Sequence, residues 1–280
     1  MTIKTLKFSK PNTPGTRGVV RLNKSHLWKG SSEKSLTKII KNTGGRNNLG
    51  RITCYGKRSV YKKLYRQIDF KRHTSFHGIV ERIEYDPNRT AHIALIKNEM
   101  GEKKYIIATK NMKPGSIVGS GALADTLEGH TLKLIDIPVG NDIHNIEMYP
   151  GKGGQIVRSA GAFAKLVGKE LGEAIVELPS KELRYFSLEC TATIGIVSNE
   201  LKFNEYLGKA GANFWRGKRS KVRGIAKNPI DHANGGKSDG GCVLANFNKN
   251  VIKGKKTRKR NKWSNSRIIS RNRKGKKGNK

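Results

Sequence analysis

Acidic side chains are almost missing from both ends of this sequence: residues 1–80 hold 2 and residues 201–280 hold 3, against 19 and 24 Lys+Arg. Residues 81–200 are balanced, with 14 basic and 16 acidic side chains. This is a near-neutral middle with two cationic extensions, a chain that repels itself unless a polyanion neutralises it. A uniformly basic enzyme surface would not divide in this way. Cysteine is scarce as well. Cys54, Cys190 and Cys242 are odd in number, far apart and form no C-x-x-C pair, which argues against a disulfide framework and a zinc ribbon. No apolar run approaches a bilayer span, and the basic segments lack the wide apolar face of a membrane-surface helix. The opening "MTIKTLKFSKPNTPGTRG" has no apolar signal core and reaches Pro and Gly too early for a long amphipathic targeting helix. The protein is therefore expected to act in the compartment that makes it.

Hydrophobic residues make up 35% of the chain, enough for modest cores and not for one large one. From about Ser75, short strands alternate with turn residues. "GIVERIEY" (78–85), "TAHIALIK" (90–97) and "KKYIIAT" (103–109) form a first set. "LKLIDIPV" (132–139), "IHNIEMY" (143–149), "EAIVELP" (173–179), "LRYFSLEC" (183–190) and "ATIGIVS" (192–198) form a second. Such spacing predicts a mainly β protein with two small barrels in tandem over about 75–200. The link "PGKGGQIVRSAGAFAKLVGKE" (150–170) is Gly-rich, with one helical turn expected at 162–168. The first sixty or so residues are expected to be an extended arm with little core. From Lys249 onward 15 of 32 residues are Lys or Arg and none is acidic, so this tail is not expected to order alone.

Three patterns could carry chemistry. The first is Asp231-His232, within "VRGIAKNPIDHANGGKSDGG" (222–241), which looks like two parts of a catalytic triad. Neighbours in sequence rarely face each other, however, and Ser238 lacks a nucleophile-elbow context. A bland turn is one alternative. The favoured reading is a backbone-rich RNA contact loop, with Asn228, Asp231 and His232 offering hydrogen-bond groups. Second, "GKGGQ" (151–155) lacks the spacing of a nucleotide-binding loop, and His73 and His77 are four apart with no third metal ligand visible. Neither a metal site nor a small-molecule substrate is expected. Third, "GKRSVYKKLYRQIDFKR" (56–72) interleaves Tyr61, Tyr65 and Phe70 with Lys57, Arg58, Lys62, Lys63, Arg66, Lys71 and Arg72. Its aromatics either stack on unpaired bases or pin the arm to the first barrel. "WRGKRSKVRG" repeats the combination with Trp215, Arg216, Lys218, Arg219 and Arg223. The tail adds Lys255, Lys256, Arg258, Lys259 and Arg260.

Several blocks, "GGRNNLGRIT" (44–53), "KKLYRQIDFKR" (62–72), "VERIEYDPNRTAHIALI" (80–96), "GKGGQIVRSAGAFAKLVGKE" (151–170), "ECTATIG" (189–195) and "GKAGANFWRGKRSKVRGIAKNPIDHANGG" (208–236), follow one another in order. Together they closely resemble the bacterial-type large-subunit ribosomal protein family L-two. The resemblance implies an OB-fold barrel followed by an SH3-like barrel. It divides the chain into a basic N-terminal extension (1–74), the OB-fold-like barrel (75–130), the SH3-like barrel (131–207) and a basic C-terminal rRNA-binding segment (208–280). It adds Arg46, Asn47, Asn48, Arg51, Lys152 and Arg158 to the RNA contacts. It implies large-subunit rRNA and neighbouring large-subunit proteins as partners, with the small subunit at the intersubunit face. It implies no enzyme and no cofactor beyond structural Mg2+ carried by the rRNA. Two stretches depart from the family pattern. "GKRSVYK" (56–62) stands where "GGGHK" is usual, and "DHANGGKSDGG" (231–241) stands where "DHPHGGGEG" is usual, so Asn234 replaces a second histidine. Drift at both RNA-facing loops, with a Lys-, Asn- and Ile-rich composition, favours a mitochondrial ribosome. A bacterial cytoplasm is the alternative, and a DNA-compacting protein is the rival function.

Overall fold

The computed structural model describes residues 6–58, 60–73, 75–121, 124–237, 243, 248, 250–254, 256, 258–259 and 261–271. The chain divides into two compact units. One is drawn from residues 1–40, 62–208 and 266–280, the other from 41–61 and 209–265.

The first unit is mainly β. Its N-terminal strands pair two by two: β1 (Leu6–Phe8) with β2 (Val20–Leu22), and β3 (Thr37–Ile39) with β4 (Leu64–Arg66). The first barrel follows, with β5 (Phe76–Glu84), β6 (Ile93–Asn98), β7 (Lys103–Ile107) and β8 (Ile117–Ser120). The second comprises β9 (Thr131–Lys133), β10 (Asp142–His144), β11 (Ile146–Glu147), β12 (Gly154–Ile156), β13 (Ala164–Glu170), β14 (Glu173–Glu177), β15 (Leu183–Ser187) and β16 (Thr191–Ile194). A late strand, β17 (Ile268–Ser270), joins β15. Eleven strands hydrogen-bond in the order β17-β15-β14-β13-β10-β16-β9-β8-β5-β6-β7. The two barrels meet where β8 and β9 pair in parallel through Ser120 and Thr131.

Alternation in β5 makes the first core. Phe76 and Val80 point inward with Ala94, Ile96, Ile106 and Val118. A bulge between Val80 and Arg82 then shifts the register, so that Glu84 turns inward on the opposite side. There it accepts the Tyr105 hydroxyl proton at 3.0 Å, and the same hydroxyl oxygen accepts the Glu33 backbone N–H at 2.9 Å. Burial pushes the Tyr105 phenol up to about 12. Strand β6 is buried on both faces because Leu36 and Ile68 cover its second face, over Ile93, Leu95 and Tyr105. Removing Ile93 and Leu95 from water contributes about 1.5–3 kcal/mol each. Part of the expected arm thus lies along the barrel wall.

In the second barrel the helical turn expected at 162–168 is replaced by β13. Ala164 and Leu166 are buried while Lys165 and Val167 are exposed, a period of two that packs Leu166 against Ile143 and Val176. Flanking glycines hid the alternation. β8, absent from the expected strand set, closes the first barrel against β5.

Among the described residues three imidazoles are buried, those of His92, His130 and His144. His144 donates from Nδ1 to the Gly195 carbonyl at 2.8 Å, and burial holds both His144 and His92 down at about 4. An unfolded chain takes up these protons near the ordinary value of 6.5 and the folded one only near 4. The stability contributed by the neutral rings is therefore complete above about pH 6.5. It falls as the pH drops and is gone below about pH 4, with a slope of roughly 1.4 kcal/mol per pH unit per ring. Denaturant unfolding between pH 7 and pH 4 checks this: His144→Asn should lower the slope by about one ring's worth.

Candidate nucleic-acid interface

The second unit is built almost without a core. Its sequence holds 21 Lys+Arg and 2 acids, and none of its described hydrophobic side chains is buried. Backbone hydrogen bonds hold it instead. Asn47 closes a turn, its Oδ1 accepting the N–H groups of Leu49 (3.0 Å) and Arg51 (2.9 Å). That turn presents Arg46, Asn48 and Arg51 to solvent. Thr53 and Cys54 N–H groups both donate to the Gly45 carbonyl, and Gly45 has φ +85 with no room for a Cβ beside the Cys54 oxygen.

Lys57 and Lys218 face each other in an antiparallel bridge, flanked by Arg58 N–H to Gly217 O (3.0 Å) and Arg219 N–H to Gly56 O (2.9 Å). The short helix α1 (Ala210–Trp215) supplies the aromatics. Arg58 lies 3.9 Å from the Phe214 ring centre and Lys209 4.6 Å from that of Trp215. Trp215 is 60% exposed, and with Arg58, Val60 and Tyr61 it lines an open cleft. A ring flanked by cations and open to solvent can stack on a base. Arg216, Lys218, Arg219 and Arg223 are exposed around it. The sequence reading passed over Lys209, Lys221 and Lys227, although the same charge density marks them.

The Asp-His loop has a defined shape. The Asn228 carbonyl accepts the N–H groups of Asp231 (3.0 Å) and His232 (3.2 Å), and the His232 carbonyl accepts that of Gly235 (2.9 Å). His232 Nδ1 accepts the Asn234 N–H at 3.1 Å, so its ring proton sits on Nε2. In a carboxylate-imidazole pair Nδ1 must instead donate to the carboxylate. Here it is already engaged by backbone, and Asp231 stays exposed. The imidazole packs where a Cβ on Gly224 would stand 2.4 Å from Cε1, so Gly224 is required by the histidine. Asn234, where the resemblance would put a second histidine, is 4% exposed and lies inside the loop. Asn228 remains exposed at its start. Of the tail residues, Lys256, Arg258 and Lys259 are exposed, and Arg258 also donates to Asn265 Oδ1 (2.7 Å) and Ser264 Oγ (3.1 Å). Lys255 and Arg260 lie outside the described residues.

In the first unit Lys62, Lys71, Lys152 and Arg158 are exposed, and Lys63, Tyr65 and Arg66 are half-buried. Arg66 donates to its own strand at the Leu64 carbonyl (2.9 Å). Phe70 pins the segment, packing with Ala91, Ile107 and Val197 beneath the guanidinium groups of Arg158 (4.5 Å) and Arg89 (5.5 Å). Arg72 corrects the sequence reading. It is 6% exposed and donates to the carbonyls of Gly129 and Gly119, both at 2.9 Å, so no phosphate can reach it. Burial, opposed by Asp69, holds its guanidinium down at about 10. The same Asp69 accepts the Lys71 and Arg72 N–H groups, fixing the turn in which Arg72 takes φ +47. The "GKGGQ" glycines serve an intrachain contact: a Cβ on Gly154 would meet Asn145 Oδ1 at 2.2 Å. His73 Nε2 sits 3.2 Å from the buried Glu147 carboxylate, which also accepts the Gly153 and Thr191 N–H groups.

Small β-barrels with a cationic appendage that displays arginines, aromatic rings and backbone define a nucleic-acid-binding protein. Residues 33–120 match the family described as "Ribosomal Proteins L2, RNA binding N-terminal domain", and residues 127–266 match "Ribosomal Proteins L2, C-terminal domain". The chain is 52% identical over 263 residues to the "Large ribosomal subunit protein uL2" of Rickettsia massiliae (strain Mtu5), covering 92% of this chain and 96% of that one. It is 48% identical over 268 residues to the protein of the same name from Ruegeria sp. (strain TM1040), covering 94% and 96%. The chain belongs to the L2 family of ribosomal proteins. Its mainly β architecture is accordingly an OB-fold barrel followed by an SH3-like barrel.

Proposed function

We infer that this chain is a structural, non-enzymatic constituent of the large ribosomal subunit that works by binding rRNA. One observation supports this most directly: residues 41–61 and 209–265 gather 21 cations against 2 acids and bury no described hydrophobic side chain. A unit without a core gains stability when a polyanion neutralises it and its exposed rings find bases to cover them. Neighbouring large-subunit proteins and the small subunit are the further partners of this reading. Mg2+ enters only with the rRNA. No described helix is long and apolar enough to cross a membrane.

The finer reading places the chain on a mitochondrial ribosome, on the strength of its composition and the two drifted loops. The two relatives named above are bacterial, so a bacterial ribosome is the alternative, and organelle fractionation distinguishes them. Sedimentation of a native lysate at moderate salt tests the function. The protein should travel with the large subunit, and His232→Ala should abolish no turnover. A protein that sediments free, or with DNA until nuclease is added, would refute the reading.

A further inference from the structure

The open cleft beside Trp215 has a volume of about 340 Å3 and is lined by Arg58, Val60, Tyr61 and Trp215. Three of these belong to "GKRSVYK" (56–62), where the sequence departs from the family pattern. Backbone contacts hold the lining together. Beside the bridge between Lys57 and Lys218, the Arg58 N–H donates to the Gly217 carbonyl and the Lys218 N–H to the Asn213 carbonyl, both at 3.0 Å. Gly217, at φ +84, sits so close to Val60 that an added Cβ would stand 3.0 Å from Cγ1. The frame is therefore fixed before anything enters, and only exposed side chains have to settle on a ligand.

Those side chains have contacts to give. Trp215 is 60% exposed and Tyr61 86%, so both rings offer area to a flat ligand. Lys209 stands over the Trp215 ring but does not line the cleft, so the ring keeps surface for an occupant. The Arg58 guanidinium lies 3.9 Å from the Phe214 ring centre and makes no side-chain hydrogen bond or ion pair among the described residues. A guanidinium resting on a ring keeps its N–H fork, which lies in its own plane, for a second partner.

Rings and fork together narrow the occupant. An acidic protein side chain would answer Arg58 and leave both rings bare. A base covers the rings, and its edge decides which base it is. Guanine presents two adjacent acceptors, O6 and N7, to a bidentate arginine, whereas adenine sets a donor beside N7 and would oppose donor with donor. The exposed Arg216, Lys218 and Arg219 nearby suit the successive phosphates of a strand better than a single nucleotide.

We propose that this cleft takes one unpaired guanine of an RNA strand, stacked on Trp215 and covered by Tyr61, with Arg58 donating to its O6 and N7. The assignment deepens the ribosomal reading and rests on it for the source of the strand, rRNA.

Fluorescence anisotropy of the full chain with labelled uridine heptamers that differ only in the central base tests this. A central guanosine should bind roughly tenfold tighter than a central adenosine. Inosine, which keeps O6 and N7, should match guanosine, and 7-deazaguanosine should lose part of the gain. Arg58→Lys keeps the charge and loses the fork, so it should abolish the preference and leave the salt slope unchanged. Trp215→Ala should weaken the guanosine heptamer about tenfold, and Trp215→Phe should restore most of that loss. Equal affinity for guanosine and adenosine heptamers overturns the proposal, and so does a guanosine preference that survives Arg58→Lys. A guanosine preference that Arg58→Lys removes, in a chain that sediments free of the large subunit, keeps the cleft and overturns the ribosomal reading instead.

Discussion

Binding to large-subunit rRNA is expected to weaken by about four to five powers of ten as monovalent salt rises from about 50 to about 200 mM. The estimate follows from the coreless unit. If about ten of its cations meet phosphates, log K should fall with log salt at a slope of roughly −7 to −9. Fluorescence anisotropy with a labelled rRNA fragment measures the slope directly. A response close to flat would mean that the exposed arginines and lysines around Trp215 and Asn47 are a solvated surface with no phosphate partner. Specific recognition would add to this term without removing it, because phosphate contacts position a protein while base contacts specify its site.

Arg72→Met should cost about 3 kcal/mol of folding stability and leave the salt slope unchanged. The carbonyls of Gly119 and Gly129 would each lose a buried donor, at about 1–3 kcal/mol apiece. Part of that loss is offset, since the guanidinium no longer has to be kept out of water. A phosphate contact would behave in the opposite way on both counts. Losing one positive charge would ease self-repulsion in a chain of net charge +36, and the salt slope would shrink by about one. Urea unfolding and salt titration of the same variant separate the two roles.

Arg72 also shows where sequence legibility ended. The two barrels could be read because short strand-forming runs such as those of β5, β14 and β15 are set apart by turn residues, Asp86-Pro87-Asn88, Gly172 and Pro179 among them. β13 was hidden, since glycines at 161 and 168 bracket its alternation and mimic a linker. Arg72 was hidden for a different reason. In sequence it ends a basic run and looks like its neighbour Lys71. Only the Asp69 turn and the approach of two distant carbonyls turn it inward. The interface divided along similar lines. Charge density located residues 215–224, whereas the roles of Phe70 as an anchor and of His232 as a closed backbone acceptor depend on contacts that spacing does not encode.

The pairing of Ile268–Ser270 with Leu183–Ser187 has a consequence for how the chain is made. As the polypeptide emerges, the barrel that ends in β15 can close long before the residues that will sheathe its outermost strand have been synthesised. In that interval a row of bare amide and carbonyl groups is open to a neighbouring nascent chain. A truncation ahead of Ile268, intended to strip positive charge, would make the interval permanent, and the shortened product should self-associate through that unsheathed rim.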